Sequence, residues 1–365
     1  LGFASDFGFF ERGEERKPME LVRWGIIGCG DVCEVKSGPA FQKANGSALV
    51  AVMRRDGEKA ADYAKRHGVP RWYTDADRLI HDPEVNAVYI ATPPGEHEHY
   101  ALRVAAAGKP CYVEKPMARS YAECSRMNAA FAAAGKPLFV AYYRRRLPRF
   151  VRAKQLIDTG RLGVVTGCHY RMTRYFWPSP PDQWRLSAKD SGGGLFLDLG
   201  SHTLDLLDYL LGPFTEYGGT AHGTGATAVE DAVALHFQTD RGIIGTASWN
   251  FAACTADDLI EIVGTEGRLT MTTFGNEPLR LVREEQREED SASTETFSEP
   301  NPPHVHQPLV QTMVDELLGG GQCPSTGESA ARTALVMDAA LKSYYGSRDD
   351  AFWNRPETWP GRRKK

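Results

Sequence analysis

The sequence predicts two units: an N-terminal α/β unit built on a parallel, doubly wound sheet, and a C-terminal α+β unit built on a large, mostly antiparallel open sheet. Three observations predict it. Up to about Tyr143, short continuous apolar runs alternate with helical stretches. Beyond about Pro148 the rhythm changes to longer β-like runs with few helices between them. The length, 365 residues, suits two domains, since a domain takes roughly 100–200 residues.

In chain order, residues 24–27, 48–53, 87–91, 111–113 and 138–141 read as strands, because they are short, continuous and apolar. Strands of that kind belong to a sheet covered on both faces. Helices are predicted over 58–67, 99–107 and 121–134, stopped by Gly68, Gly108 and Gly135, residues that tolerate the left-handed conformation at a helix end. Strand–helix–strand repetition makes right-handed crossovers and a parallel sheet. In the second unit a helix over 149–158 closes at Gly160. Strands follow at 164–173, 232–238, 242–250, 259–263 and 268–271, interrupted by a Gly-rich turn and helix over 192–211. Residues 284–303, charged and rich in Ser and Pro, read as an exposed loop. Helices over 308–318 and 329–344 close the chain. The domains expected are an extension over 1–18, a dinucleotide-binding domain over 19–143, a substrate-binding and oligomerisation domain over 144–350, and a tail over 351–365.

Composition excludes several classes. Hydrophobic residues are 42%, charged residues 25% and the net charge is −4, with both signs interspersed. No basic stripe points to nucleic acid or a membrane surface. No apolar run reaches the ~18 residues of a membrane span. The seven cysteines form no Cys-x-x-Cys pair, which reads as reduced thiols in a cytoplasmic protein. Histidines and cysteines lack zinc spacing, so no metal is expected. Pro303-His304-Val305-His306 reads as a loop rather than a metal site. Residues 1–18 lack the apolar core of a secretory signal, and Met19 looks like a natural start.

The first strand runs into Gly28-Cys29-Gly30-Asp31-Val32-Cys33. Gly28 suits a tight turn, and Gly30 lets the backbone approach a pyrophosphate held at a helix N-terminus. After a strand, at the head of an α/β unit, this reads as a dinucleotide site of the Rossmann type. Cys33 holds the third glycine position. At the end of the second strand, where an acid commonly binds the adenosine ribose, stand Arg54 and Arg55. A guanidinium suits a 2′-phosphate and has no use for a bare diol. NADP is therefore expected over NAD. The alternative is that both arginines are solvated and Asp56 takes the ribose.

Three further segments carry chemistry. Thr92-Pro93-Pro94-Gly95-Glu96-His97 and Glu114-Lys115-Pro116 follow strand ends, where ligands bind in open α/β sheets. The run from Gly192 to Asp205 places Asp198 and His202 at i, i+4, on one helical face. A histidine titrates near neutrality and can take or give a hydroxyl proton. A lysine can hold the hydroxyl and stabilise developing oxyanion charge. The aromatic and basic residues Tyr170, Arg174, Tyr175, Trp177, Trp184 and Arg185 can line a sugar or diol pocket, or else pack on the sheet or at a subunit contact.

The ordered set of these motifs over about residues 22–345 resembles the glucose–fructose oxidoreductase / inositol dehydrogenase (Gfo/Idh/MocA) family. Tyr143-Arg144-Arg145-Arg146 and Trp184-Arg185 fall where that family has similar segments. Cys33 and Arg54 depart from its pattern and bear on cofactor detail, and the double-Arg strand end is similar to its NADP-preferring members. The resemblance implies Lys115 and His202 as an acid–base pair with Asp198 beside them. It implies cofactor contacts at Gly28, Gly30, Asp31, Val32, Arg54, Arg55, Thr92, Pro93, Pro94, His97, Glu114 and Lys115. For His97 a loop-structural role is the competing expectation. It implies substrate contacts at Lys115, Tyr143, Arg145, Tyr175, Trp184, Arg185, Asp198 and His202. It also implies a cis bond before Pro116, a homodimer or homotetramer, and NADP(H)-dependent hydride transfer on a sugar, polyol or cyclic diol. Two other functions stay open: glycoside hydrolysis through transiently used nicotinamide, and a non-enzymatic dinucleotide sensor.

Overall fold

The computed structural model describes residues 20–175, 184–225, 227–284, 292–355 and 359. The expected extension over 1–18, Trp177 and the basic tail over 362–365 lie outside them. The N-terminal sheet holds β1 (Val22–Ile27), β2 (Ser47–Met53), β3 (Arg71–Tyr73), β4 (Ala87–Ile90), β5 (Cys111–Val113) and β6 (Leu138–Val140). All pair in parallel in the order β3-β2-β1-β4-β5-β6. Chain direction across the sheet reverses between β1 and β4, which opens a crevice at their C-terminal ends. Strands β4 to β6 are buried on both faces, as their unbroken apolar runs require. Strand β3 was not expected: Arg-Trp-Tyr at a sheet edge buries little and carries no apolar run.

Helix ends follow the glycines. Gly68 and Gly135 take left-handed conformations after helices Gly57–His67 and Tyr121–Ala134. Asp56 and Ser120 cap the opposite ends by accepting backbone N–H groups.

The second unit carries an eight-stranded sheet: β7 (Val165–Tyr175), β8 (Phe214–His222), β9 (Ala232–Thr239), β10 (Ile244–Ala253), β11 (Asp257–Gly264), β12 (Arg268–Met271), β13 (Leu279–Glu284) and β14 (Ala292–Phe297). The order is β14-β13-β12-β11-β7-β10-β9-β8, antiparallel throughout except for the parallel pair β7–β10. Cys168, Tyr170 and Met172 of β7 and Ala247, Trp249 and Phe251 of β10 alternate inward. They pack with Phe196, Leu207 and Leu211 from the helical layer. Their neighbours, including His169, Arg171, Thr246 and His236, face outward and are exposed. Within the expected loop over 284–303 one stretch is corrected: Ala292–Phe297, with its β-branched threonines, forms β14, paired in register with β13, while residues 285–291 lie outside the described residues.

The C-terminal helices do not all stay with the second sheet. The chain returns to the N-terminal unit after the second sheet. Helix Gln307–Leu317 inserts Leu309, Val310, Met313 and Val314 among Trp24, Phe41 and Tyr112. Helix Gly327–Tyr345 places Ala330 and Ala331 in the core beside Met127 and Phe131, and Val336, Met337 and Leu341 in the core of the second unit. Ser325 Oγ donates to the Val140 carbonyl at 2.7 Å. Part of the expected 144–350 segment thus packs on the first sheet. No helix among the described residues is long and apolar enough to cross a membrane.

Candidate active site

A cavity of about 870 Å³ opens at the C-terminal ends of β1, β2, β4 and β5, between the parallel sheet and the second unit. Its dinucleotide half is built on the glycine turn. Gly28 has φ +85°, and a Cβ there would lie 2.9 Å from Thr92 Cγ2, so the turn admits glycine alone without strain. At Gly30 a Cβ would meet nothing closer than 3.9 Å. That open backbone, leading into the helix Asp31–Val35, suits a close-lying pyrophosphate. Cys33 is buried beneath it, and Tyr63 Oη donates to its carbonyl at 2.8 Å. Asp31, Val32, Thr92, Pro93 and Pro94 line the same half.

At the end of β2, Arg54, Arg55, Asp56 and Lys59 line the far end of the cavity. Arg54 Nη1 donates to the Cys29 carbonyl at 3.3 Å, which holds the side chain against the glycine turn. Asp56 is already engaged: it accepts from Lys59 N at 3.2 Å and pairs with Lys59 Nζ at 3.2 Å.

The expected cofactor contact at His97 is corrected. The imidazole is fully buried and stands off the cavity. Its ring nitrogens lie 2.8 Å from the Thr92 carbonyl and 3.1 Å from the Pro116 carbonyl, tying together the two loops that do line it. Burial pushes it down to about 4, so it stays neutral.

The reacting half gathers side chains from remote segments. Glu114-Lys115-Pro116 follows β5, with a cis bond before Pro116. Lys115 Nζ donates to the Asp198 carbonyl at 3.0 Å and to the carboxylate Oδ1. Arg185 Nε donates to the other carboxylate oxygen at 3.1 Å. Burial pushes the Asp198 carboxyl up, but Lys115 and then Arg185 outweigh it and hold the group below its usual range. Asp198 sits on a single π-helical turn, Phe196–Gly200, that opens into helix Ser201–Leu211, a local widening of the helix. The approach to that turn depends on Gly194, whose N–H meets the Glu230 carboxylate at 2.8 and 2.9 Å. A Cβ on it would lie 2.4 Å from the Glu230 carbonyl oxygen.

His202 is 4% exposed and ringed by Tyr142, Tyr143 and Phe274 at centroid distances of 6.1, 5.3 and 6.0 Å. Its Nδ1 is buried without a partner. Burial first, then the charges of Arg144 and Lys115, hold the imidazole well below its usual range, so it is neutral near pH 7.

Tyr143, Trp184, Arg185, Glu114 and Lys115 line the cavity as expected, together with Asp198 and His202. Two expected substrate contacts are corrected. Arg145 is buried away from the cavity. Its guanidinium makes a two-pronged pair with Asp205 at 2.9 and 2.7 Å and reaches Asp208 at 3.1 Å. Tyr175 is 60% exposed at the end of β7, off the cavity.

Sequence reasoning missed Lys36, Arg144, Phe274 and His306, all of which line the cavity. His306 is pinned there. Its Nδ1 lies 2.9 Å from Tyr112 Oη, its ring stacks on Tyr143 at 4.5 Å, and its Nε2 lies 3.7 Å from Glu114. Glu114 in turn accepts from Tyr89 Oη at 2.5 Å. The His-x-His pair was visible in the sequence, but its distance from every other motif concealed its place.

Comparison with known proteins agrees with this architecture. Residues 22–142 match the oxidoreductase family with NAD-binding Rossmann fold, and residues 150–270 match the GFO/IDH/MocA C-terminal domain. An oxidoreductase of Formosa agariphila is 35% identical over 87% of this chain and 97% of its own length. A 1,5-anhydro-D-fructose reductase of Ensifer adhaerens is 28% identical over 88% and 96%. The solved structure of a levoglucosan dehydrogenase in complex with NADH and levoglucosan superposes with a TM-score of 0.78 at 23% identity, covering 88% of this chain and 96% of that one, a likeness of fold. The motifs, the two matched domains and the near full-length relatives make one conclusion: the chain is an oxidoreductase of the GFO/IDH/MocA family.

Proposed function

We propose that the chain is an NADP(H)-dependent dehydrogenase or reductase acting on a secondary alcohol or carbonyl of a sugar, polyol or cyclic diol. One observation carries the reading: Lys115, doubly bound to Asp198, opens on the same cavity as a buried, neutral His202 and the glycine turn. When bound, the nicotinamide supplies hydride exchange. This chain's residues handle the proton. In oxidation, neutral His202 takes the hydroxyl proton while Lys115 holds that oxygen and steadies the charge developing on it. In reduction the proton moves back. Asp198 and Arg185 orient Lys115. Tyr143, Trp184 and Phe274 wall the pocket and exclude water.

Support for NADP lies at the end of β2, where Arg54, Arg55 and Lys59 gather and Asp56 is engaged as a helix cap. Arg54→Ala is expected to weaken NADPH binding about 10- to 100-fold, the worth of a charge-assisted phosphate contact, and to change NADH binding little. Quenching of tryptophan fluorescence on titration with each cofactor measures it. Equal weakening of both, or tighter NADH binding by the wild type, removes the NADP preference.

The acid limb of kcat/KM for oxidation tests His202. Its pKa is lowered from 6.5, so the neutral base form persists as pH falls. The limb is expected below pH 6.5, and a limb at or above that value would take the base role from His202. We also assign the exposed face of the eight-stranded sheet to contact between copies in a homodimer or homotetramer. The free thiols of all seven cysteines support a cytoplasmic setting.

A further inference from the structure

We infer that the sugar taken by this cavity is anionic, its acid group held by Arg144 and Lys36 beside the reacting carbon. The inference rests on the reading above and concerns the substrate end of the same cavity. Lys36, Lys115, Arg144 and Arg185 line the cavity with the carboxylates of Asp198 and Glu114, while Glu96, also in the lining, is exposed to solvent. Lys115 and Arg185 both spend themselves on Asp198. Glu114 is enclosed by Tyr89, His306 and the Lys115 backbone, and burial pushes its carboxyl up, toward the neutral form.

That leaves Arg144 and Lys36. Among the described residues neither has a carboxylate within 4.0 Å. Arg144 is 6% exposed. Its Nε donates to the Thr273 carbonyl at 3.0 Å, and its guanidinium lies 4.4 Å from the Phe274 ring. Its Nη1 is buried without a partner. Arg149 Nη2 competes for the same Thr273 carbonyl at 2.9 Å, so like charges crowd one acceptor. Burial first, and then Arg144, lower Arg149 to about 10.

A buried guanidinium without a counter-ion is costly unless something supplies one. The cofactor's pyrophosphate belongs at the glycine turn. Lys36 and Arg144 instead line the cavity with the two histidines, and both cations contribute to depressing His202 and His306. A neutral polyol leaves the buried Arg144 charge uncompensated, whereas the exposed Lys36 is hydrated and adds a second cation at the rim. A carboxylate or acid ester satisfies that buried charge, and a planar carboxylate matches the guanidinium fork.

The test is equilibrium binding to the NADPH-loaded protein of matched pairs: aldohexoses with their uronic acids, and the same hexoses with their 6-sulfates and 6-phosphates. In at least one pair the acid is expected to bind roughly 10- to 100-fold tighter than its neutral parent, and the preferred acid arm identifies the group. The ratio falls toward one in Arg144→Met, and in Lys36→Met should the first variant fail to fold, and it shrinks with added salt. The proposal is overturned if no acid outbinds its parent, or if the preference survives both substitutions. Failure here is separable from failure of the reading beneath it, which NADPH binding and the loss of turnover in a Lys115 variant test independently.

Discussion

Replacing Lys115 by Met is expected to lower kcat/KM for sugar oxidation about 1000-fold, the order seen when a preorganised oxyanion donor is removed, while NADPH affinity stays within about threefold. The side chain enters the cavity from the end of β5, and its ammonium is held by both the carbonyl and the carboxylate of Asp198. Met preserves the length of the stem and its packing but removes the charge and the donors. Arg185 still pairs with Asp198 at 3.1 Å, so the carboxylate is not stranded. The glycine turn and the arginines at the end of β2 are untouched, and cofactor binding therefore reports whether the fold survived. Steady-state rates with NADP, beside a fluorescence titration, decide it. Turnover near the wild-type rate would remove Lys115 from the chemistry.

Asp205→Ala is expected to destabilise the protein by about 3–5 kcal/mol, the cost of stranding one partner of a buried ion pair. Arg145 and Asp205 are 5% and 1% exposed in their side chains, and both prongs of the pair are short. The substitution leaves the guanidinium with one contact to Asp208 and one to the Pro324 carbonyl, both at 3.1 Å. Asp208 is already shared with Arg332. Denaturant unfolding of the two proteins measures the difference. Removing both charges, in Arg145→Met with Asp205→Leu, is expected to recover much of the loss, because no charge is then buried alone. A loss below about 1 kcal/mol in the single variant would show that Asp208 alone suffices as counter-ion.

That pair also shows where the sequence stops being legible. Three consecutive arginines follow Tyr143 in a 3₁₀ turn, Tyr143–Arg146. Nothing in Arg-Arg-Arg tells which residue turns toward solvent, cavity or core. The choice is made elsewhere, by Asp205 and Asp208 on helix Ser201–Leu211 for Arg145 and by the Thr273 carbonyl for Arg144. Signals confined to a few residues were legible: the apolar run of β5, the helix Tyr121–Ala134 between its Ser120 cap and Gly135, and the glycine turn. Lys115, Asp198 and His202 could be singled out because each stands in a compact motif at a strand end or helix start. Phe274 and His306 stand in no such motif. They reach the cavity through tertiary packing of segments far along the chain. Strands β3, β8, β13 and β14 were all unexpected, and for β3 and β14 the reason is related. Arg-Trp-Tyr at an edge and a Ser/Thr/Glu stretch beside β13 owe their form to the neighbouring strand, and an apolar pattern cannot announce that.

The return of helix Gln307–Leu317 onto the first sheet has a consequence during synthesis. The face formed by Trp24, Phe41 and Tyr112 is closed by Leu309, Val310 and Met313. A ribosome that has finished β6 must still translate well over a hundred residues before those side chains emerge, roughly 10–30 s at about 5–20 residues per second. For that interval the nascent parallel sheet carries an open aromatic face, and the first unit matures only after the strands of the second sheet have been made.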